Sequence, residues 1–426
     1  MQQLKSWLSF LKYDLNKTEF KIISLASMGG MLEFYDFTIY GLFSVYFANQ
    51  FFPSSDNLIS IIASYSVFII GYIARPIGGI LFSHIGDEIG RKIVLVLTLV
   101  IMGIASIGIG FLPTYNQIGI FAPLSLLVFR LVQGLALGGE LPSMIVYVTE
   151  SMPNKRGYAI GGVLSGTDAG LLLGMIVNFI LVFCLDKQQL LDFGWRIPFI
   201  IGGLLCFISY QIRKKLSETK AFTKSSNDKI KFPLAYLLKN HLPQVLIGIG
   251  VTGIMGAFVM LSIIFMPTYL TQIAKIPAVN VSNLTLIATI VTVIAAYVMG
   301  LIANKFNPRR VMSICLALAV LIAIISYNLI AANIYLLLAL CLLTLMQGFF
   351  ATLSPLLISY IFPTRIRLTG VALSYNLGHT IFGGLAPIII TGLIHKTHFT
   401  YMVPIIYISV VVIITLIAVR YQKMVD

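Results

Sequence analysis

FRLVQGLALGGELPSMIVYVTESMPNKR, residues 129–156, settles the architecture. It closes an apolar run, 118–149, whose only charges are Arg130 and Glu140 and which is long enough to cross a bilayer core of ~30 Å as a helix rising 1.5 Å per residue. A basic turn, Lys155-Arg156, then ends it. The segment also returns later in the chain. FRLVQG (129–134) recurs as LTLMQG (343–348), so Gln133-Gly134 matches Gln347-Gly348. Pro142 matches Pro355, and the turn at Pro153 and Arg156 matches Pro363 and Arg367. Upstream, GGILFSHIGDEIGRK (78–92) has a decayed copy in GLIANKFNPRR (300–310). A helical unit repeated in order across two halves is the plan of carriers that rock one half against the other around a midplane site.

Composition agrees with this plan. Of 426 residues 58% are hydrophobic and 10% charged, with a mean hydropathy of +0.95. Soluble domains carry about 25% charged residues. Soluble globular, disordered and disulfide-scaffold classes are therefore excluded. Apolar runs at about 20–48, 58–83, 92–112, 118–149, 157–184, 195–213, 242–272, 280–303, 309–328, 332–362, 367–394 and 400–420 predict twelve transmembrane helices. The fold class is an all-α membrane protein of two pseudo-symmetric six-helix halves. The expected division is an N-terminal segment 1–19, a first half 20–213, a linker 214–241 and a second half 242–426.

The formal charge of +14 is placed for topology rather than for nucleic acid, since no basic stripe alternates with aromatics. With both termini on one side, 23 of the 29 lysines and arginines fall on that side and four on the other, while Arg75 and Arg130 lie in the membrane. Cationic loops resist translocation, so both termini are expected in the cytoplasm. Residues 1–21 lack an uninterrupted apolar stretch and a small-residue cleavage site, so they read as an amphipathic segment and not a cleavable signal. Cys184, Cys206, Cys315 and Cys341 sit in apolar runs without metal-ligand spacing and read as core thiols. No metal, cofactor or nucleotide motif is expected, and no arrangement supports an enzyme.

Ionisable groups at membrane depth cost ~2.5–3.5 kcal/mol each, so each asks for a reason. Glu33 and Asp36 lie at i and i+3 on the first run, with Tyr40 four residues further on. Two carboxylates on one helix face in oil resist ionising together, which is what a proton site needs. The alternative is a structural pair satisfied by Arg75 or by tyrosine hydroxyls. Arg130, whose repeat partner is Thr344, offers a planar fork for a substrate carboxylate, with Gln133 one turn on; otherwise it holds Glu33 or Asp36. Arg75, before the helix-loosening Pro76, binds substrate or counters the same acids. Asp168 matches His379 in the repeat, and the pair reads as a proton relay or as two core residues. Asn376, three residues before His379, is a candidate substrate contact. Gly162, Gly166, Gly170 and Gly174 form a close-packing stripe on the fifth run.

These stretches resemble the major facilitator superfamily, and within it the metabolite:proton symporters that include proline/betaine, α-ketoglutarate, citrate and shikimate carriers. The motifs are LEFYDFTIYG (32–41), ARPIGG (74–79), GDEIGRK (86–92), RLVQGLALGGE (130–140), GWRIPF (194–199), FPTRIRLTG (362–370) and YNLGHTIFGGLAP (375–387). The resemblance implies a cytoplasmic charge latch of Asp87 and Arg91 with Glu150 and Arg156, in a bacterial cytoplasmic (inner) membrane. Two departures stand out. Glu88 follows the loop aspartate where a basic residue is usual, and Ser83 replaces a glycine. The second copy has Asn304 at the aspartate position and Asn307-Pro308 for Gly-Arg, which implies a weaker second latch.

The expected function is proton-coupled import, by alternating access, of a small carboxylate-bearing metabolite or zwitterionic osmolyte, by a monomer whose partners are its substrate, protons and the lipid bilayer. An exporter or exchanger of the same fold, or a transport-inactive sensor, is the alternative. Phe34, Tyr35, Phe37 and Tyr40 are candidates to cage a quaternary ammonium.

Overall fold

A computed structural model describes residues 15–55, 57–214, 218 and 233–422. Its long helices are α1 (Lys17–Phe51), α2 (Asn57–Glu88), α3 (Arg91–Gly110), α4 (Phe121–Ser151), α5 (Arg156–Cys184) and α6 (Arg196–Arg213), followed by α7 (Leu242–Val259), α8 (Ala278–Lys305), α9 (Pro308–Ala331), α10 (Leu336–Ile358), α11 (Arg367–His379) and α12 (Met402–Tyr421). Among the described residues nine helices are long and apolar enough to cross a membrane, and the bent pair Lys187–Gly194 with Arg196–Gln211, meeting at 47°, makes a tenth. The carboxylate-bearing α1 and the proline-interrupted α2 complete the twelve.

The helix ends follow local chemistry. Asn16 Oδ1 accepts from the Glu19 N–H at 2.8 Å while Glu19 accepts from the Asn16 N–H at 2.8 Å, a reciprocal cap for α1. Pro308 opens α9 where its missing N–H costs nothing, and Asn307 caps the Arg309 N–H at 3.0 Å. Three long runs differ from their sequence reading. The fourth begins at Phe121, after a separate turn at Tyr115–Ile118. The seventh is interrupted by π turns at Met260–Ile264 and Tyr269–Ile273, and the eleventh by Thr380–Gly384 before it resumes as Ala386–Thr397. Such one-turn widenings concentrate at functional sites.

In the first half α1 packs along α5, α2 along α4, and α3 against α4 and α6. In the second, α8 and α9 pack on α10, and α7 on α11 and α12. The halves meet through α5 with α8 and α2 with α11, pairs that exchange under the internal two-fold. Glycine makes the α2–α4 crossing close: a Cβ on Gly134 would strike the Gly71 backbone, and one on Gly138 the Arg75 carbonyl. The glycine stripe of α5 does the same against α1, with Gly166 on Ser27, Gly170 on Met31 and Gly174 on Thr38.

One cation lies elsewhere than its sequence position suggested. Arg213, counted with the basic linker, is wholly buried and donates to Leu25 O and Leu95 O at 3.0 Å and to Glu140 at 2.5 Å. It ties α1, α3, α4 and α6 together, and Glu140 serves as its structural counter-ion. Burial is tolerated because each guanidinium nitrogen finds an acceptor.

Candidate functional site

Between the halves lies a cavity of about 10 Å³, room for roughly one water. Its polar wall is Glu33 of α1, Tyr72 and Arg75 of α2, and Tyr375 and His379 of α11; Phe34 and Phe37 add aromatic faces. Pro76 cannot donate to the Tyr72 carbonyl one turn back, which loosens α2 where these side chains emerge. Arg75 Nη2 meets Glu33 Oε1 at 3.5 Å, and its guanidinium lies 5.1 Å from the Tyr72 ring centre. The other Glu33 oxygen, Oε2, has no hydrogen-bond partner, nor have the Tyr375 hydroxyl and His379 Nε2. The Tyr375 and His379 rings stack at 4.3 Å. Asp168 stands one turn before the cavity-lining Leu171 on α5, 1% exposed with both oxygens unpartnered. Tyr375 lines the cavity from α11 together with Glu33, Tyr72 and Arg75 of the first half, so its ring stands where the two halves' polar groups meet.

The remaining membrane-depth residues form a second cluster inside the first half. Asp36 Oδ1 accepts from Ser106 at 2.6 Å, and Oδ2 accepts from the Gln133 amide. Gln133 in turn accepts from Arg130 at 2.7 Å, and the Arg130 guanidinium covers the Tyr40 ring at 4.0 Å. The Tyr40 hydroxyl donates to Ser64 O at 3.1 Å. Glu33 and Asp36 therefore do not share a site as their spacing suggested: one faces α2 and the cavity, the other α3 and α4. Arg130, Gln133 and Tyr40 stand behind the cavity wall.

Below the cavity the halves are locked. Asn376 donates to Gly138 O across the interface at 2.8 Å and to Ala372 O in its own helix at 2.9 Å. Asp87 Oδ2 accepts from the Thr369 N–H at 3.0 Å and the Thr369 hydroxyl at 2.7 Å, so α2 caps the first turn of α11. A carboxylate there also meets the positive end of the α11 dipole. Arg91 joins Asp87 at 3.2 Å, Glu150 at 3.4 Å and the Thr364 carbonyl at 2.8 Å. Arg156, expected on Glu150, instead covers Tyr360 at 4.4 Å, and its repeat equivalent Arg367 takes Glu150 at 3.2 Å. Glu150 is wedged between Arg91 and Arg367, which leaves Arg156 the aromatic face of α10's end. At the pseudo-equivalent contact Gly157 of α5 abuts Asn304 of α8, where no carboxylate is present.

The other end is less tightly closed. A crevice of about 340 Å³ between α2 and the π turns of α7 and α11 shares Tyr72 and Ile264 with the cavity, so those two side chains separate the spaces. Sequence reasoning missed Tyr72, Tyr375, Arg367 and Thr369 as site residues. Tyr375 had a signal, its i, i+4 spacing to His379; Thr369 had none. Between 242 and 425 the chain has no aspartate or glutamate, so every carboxylate near the cavity belongs to the first half.

A twelve-helix membrane protein with a buried polar cavity between two pseudo-symmetric halves, locked at one end, is a carrier rather than an enzyme. The chain belongs to the Major Facilitator Superfamily, whose family model matches residues 26–277 and 244–423. It is similar to a putative proline/betaine transporter of Staphylococcus aureus (strain COL), 30% identical over 406 residues covering 92% of this chain and 86% of the relative. It is also similar to the glycine betaine/proline/ectoine/pipecolic acid transporter OusA of Dickeya dadantii (strain 3937), 29% identical over 418 residues, 95% of this chain and 83% of that one. Its fold matches the proton:xylose symporter XylE bound to 6-bromo-6-deoxy-D-glucose with a TM-score of 0.79 at 18% identity, covering 95% and 96% of the two chains.

Proposed function

We propose that this transporter is a proton-coupled symporter of the bacterial cytoplasmic membrane that imports a small zwitterion of the proline or betaine type. The observation that carries the reading is the Glu33–Arg75 contact on the cavity wall, 3.5 Å long with one carboxylate oxygen unpartnered. A proton on Glu33 frees Arg75, and the freed guanidinium takes the substrate carboxylate. The substrate's cationic end lies against Phe34, Phe37 and Tyr72, whose faces attract a quaternary ammonium. Asp168 and His379 relay the proton past Tyr375, Asn376 closes the floor, and Arg130 with Gln133 and Tyr40 holds Asp36. The Asp87, Arg91, Glu150, Arg367 and Arg156 contacts close the cytoplasmic end. The names of the relatives support the zwitterion, and the Glu33–Arg75 contact at the seam between the halves supports proton coupling.

Uptake of labelled glycine betaine and proline into proteoliposomes tests this. An inward proton gradient is expected to drive accumulation that a protonophore abolishes. Accumulation indifferent to the protonophore overturns the coupling, and accumulation of organic acids in preference to zwitterions overturns the substrate class.

A further inference from the structure

A groove between α9 and α12, at the end where the cavity is locked, takes no part in the cavity or the lock. It measures about 770 Å³ and is lined by Arg309 and Arg310 from the start of α9, Arg420 from the end of α12, and the apolar Ile314, Leu416 and Ile417. Among the described residues none of the three arginines meets a carboxylate, and Arg309 Nε is buried without a hydrogen-bond partner. Three permanent charges converging on one groove repel one another until an anion neutralises them. The apolar wall narrows the anion's chemistry: Ile314 is 61% and Ile417 53% exposed. Both stand on the outer face of the bundle, in the same groove as the guanidinium groups.

We propose that this groove binds an anionic phospholipid, its phosphodiester held by Arg309, Arg310 and Arg420 and one acyl chain lying along Ile314 and Ile417. Guanidinium pairs a phosphate through two parallel hydrogen bonds, and a headgroup at this depth delivers that phosphate with its chain already in the bilayer. A free phosphate would meet only the polar mouth.

The purified full-length protein is melted in detergent with dioctanoyl-phosphatidylglycerol, with dioctanoyl-phosphatidylcholine and with glycerol 3-phosphate. Phosphatidylglycerol is expected to raise the melting temperature by about 1.5 °C at tenfold saturation, the other two to leave it unchanged. The double variant R309Q/R420Q is expected to lose that rise. An equal rise with phosphatidylcholine, a rise with glycerol 3-phosphate, or an undiminished rise in the double variant overturns the proposal. Should the double variant fail to fold, Ile417→Trp puts a bulky ring on the apolar wall where the acyl chain would lie and leaves every charge in place. It is expected to lose at least half of the rise, and a full rise there rejects the site.

Discussion

Glu33 and Asp36 are three residues apart on one helix and almost equally hidden, 2% and 3% exposed, yet they occupy opposite kinds of setting. Asp36 is satisfied on both oxygens by Ser106 and Gln133, partners that belong to its own half. Glu33 has a single long contact with Arg75, a bare second oxygen, and Tyr375 and His379 of the other half across the cavity. A network confined to one rigid half keeps its geometry when the halves rock, whereas a group at the seam changes neighbours. Coupling needs the second kind, because only a group with different interactions in two states can bias the equilibrium between them. The pair teaches that burial and charge do not mark a coupling residue; incomplete satisfaction at a moving interface does.

Neutralising each acid in turn tests that division most severely. Glu33→Gln is expected to bring proton-driven accumulation down to background while exchange of labelled for unlabelled substrate continues. Full accumulation by this variant would move the coupling proton to Asp36. Asp36→Asn is expected to act on the fold instead. It takes the charged acceptor from Ser106 and from Gln133, which in turn holds Arg130, at a cost of ~1.5–3 kcal/mol. The loss should show as a lower melting temperature, with an unchanged proton-to-substrate ratio in the protein that survives. A normal melting curve with lost coupling would erase the distinction between the two centres.

Milder changes sharpen the Glu33 side. Arg75→Ala is expected to raise KM for a carboxylate-bearing substrate roughly 10- to 100-fold, the worth of a hydrogen bond to a charged group, and to affect an uncharged analogue far less. Equal loss for both would make Arg75 structural. Tyr375→Phe keeps the ring that stacks on His379 but removes the hydroxyl at the junction of the halves. The hydroxyl is unpartnered in this conformer, so a transport rate about 5-fold lower with substrate affinity preserved is expected from losing one hydrogen bond, ~1 kcal/mol, that it makes only as the halves rock. Loss of affinity without loss of rate would place the hydroxyl on the substrate instead.

The helices were legible because residues such as Pro142 and Pro355, and the basic turns after them, punctuate apolar runs long enough to span. The family was legible in short motifs, and the lock in Asp87 and Arg91. What periodicity could not supply was neighbours. Residues at i and i+3 differ in direction by about 60°, which on α1, contacted by α2, α4, α5 and α6, is enough to send Glu33 and Asp36 into different seams. Internal repetition likewise paired Arg156 with Arg367 but not with their partners, since one Glu150 serves the crossing and the second half has no acid to match it. Arg213 looked like a loop cation because it adjoins Lys214, and only the packing of α6 carries it to Glu140. The π turns of α7 and α11 have no sequence signature in the chain and are visible only once those helices are built.

The smallest expected effect bears on the Asp36 centre alone. Ser106 is buried at 1% exposure and gives its hydroxyl to Asp36 Oδ1 at 2.6 Å. Among the described residues the other donor to this carboxylate is the Gln133 amide, 3.0 Å from the same hydroxyl and bonded to Oδ2. Ser106→Ala removes one donor but leaves Gln133 and the charge of Arg130 in place, so the acid stays paired and no cation is orphaned. A destabilisation of about 1 kcal/mol follows, visible as a small fall in melting temperature, with transport rate, affinity and proton coupling unchanged. If Asp36 instead carried the coupling proton, weakening its ionised form in this way would shift the pH dependence of transport without a comparable change in stability. A pH profile that moves in Ser106→Ala and stays fixed in Glu33→Gln would therefore exchange the roles assigned to the two acids.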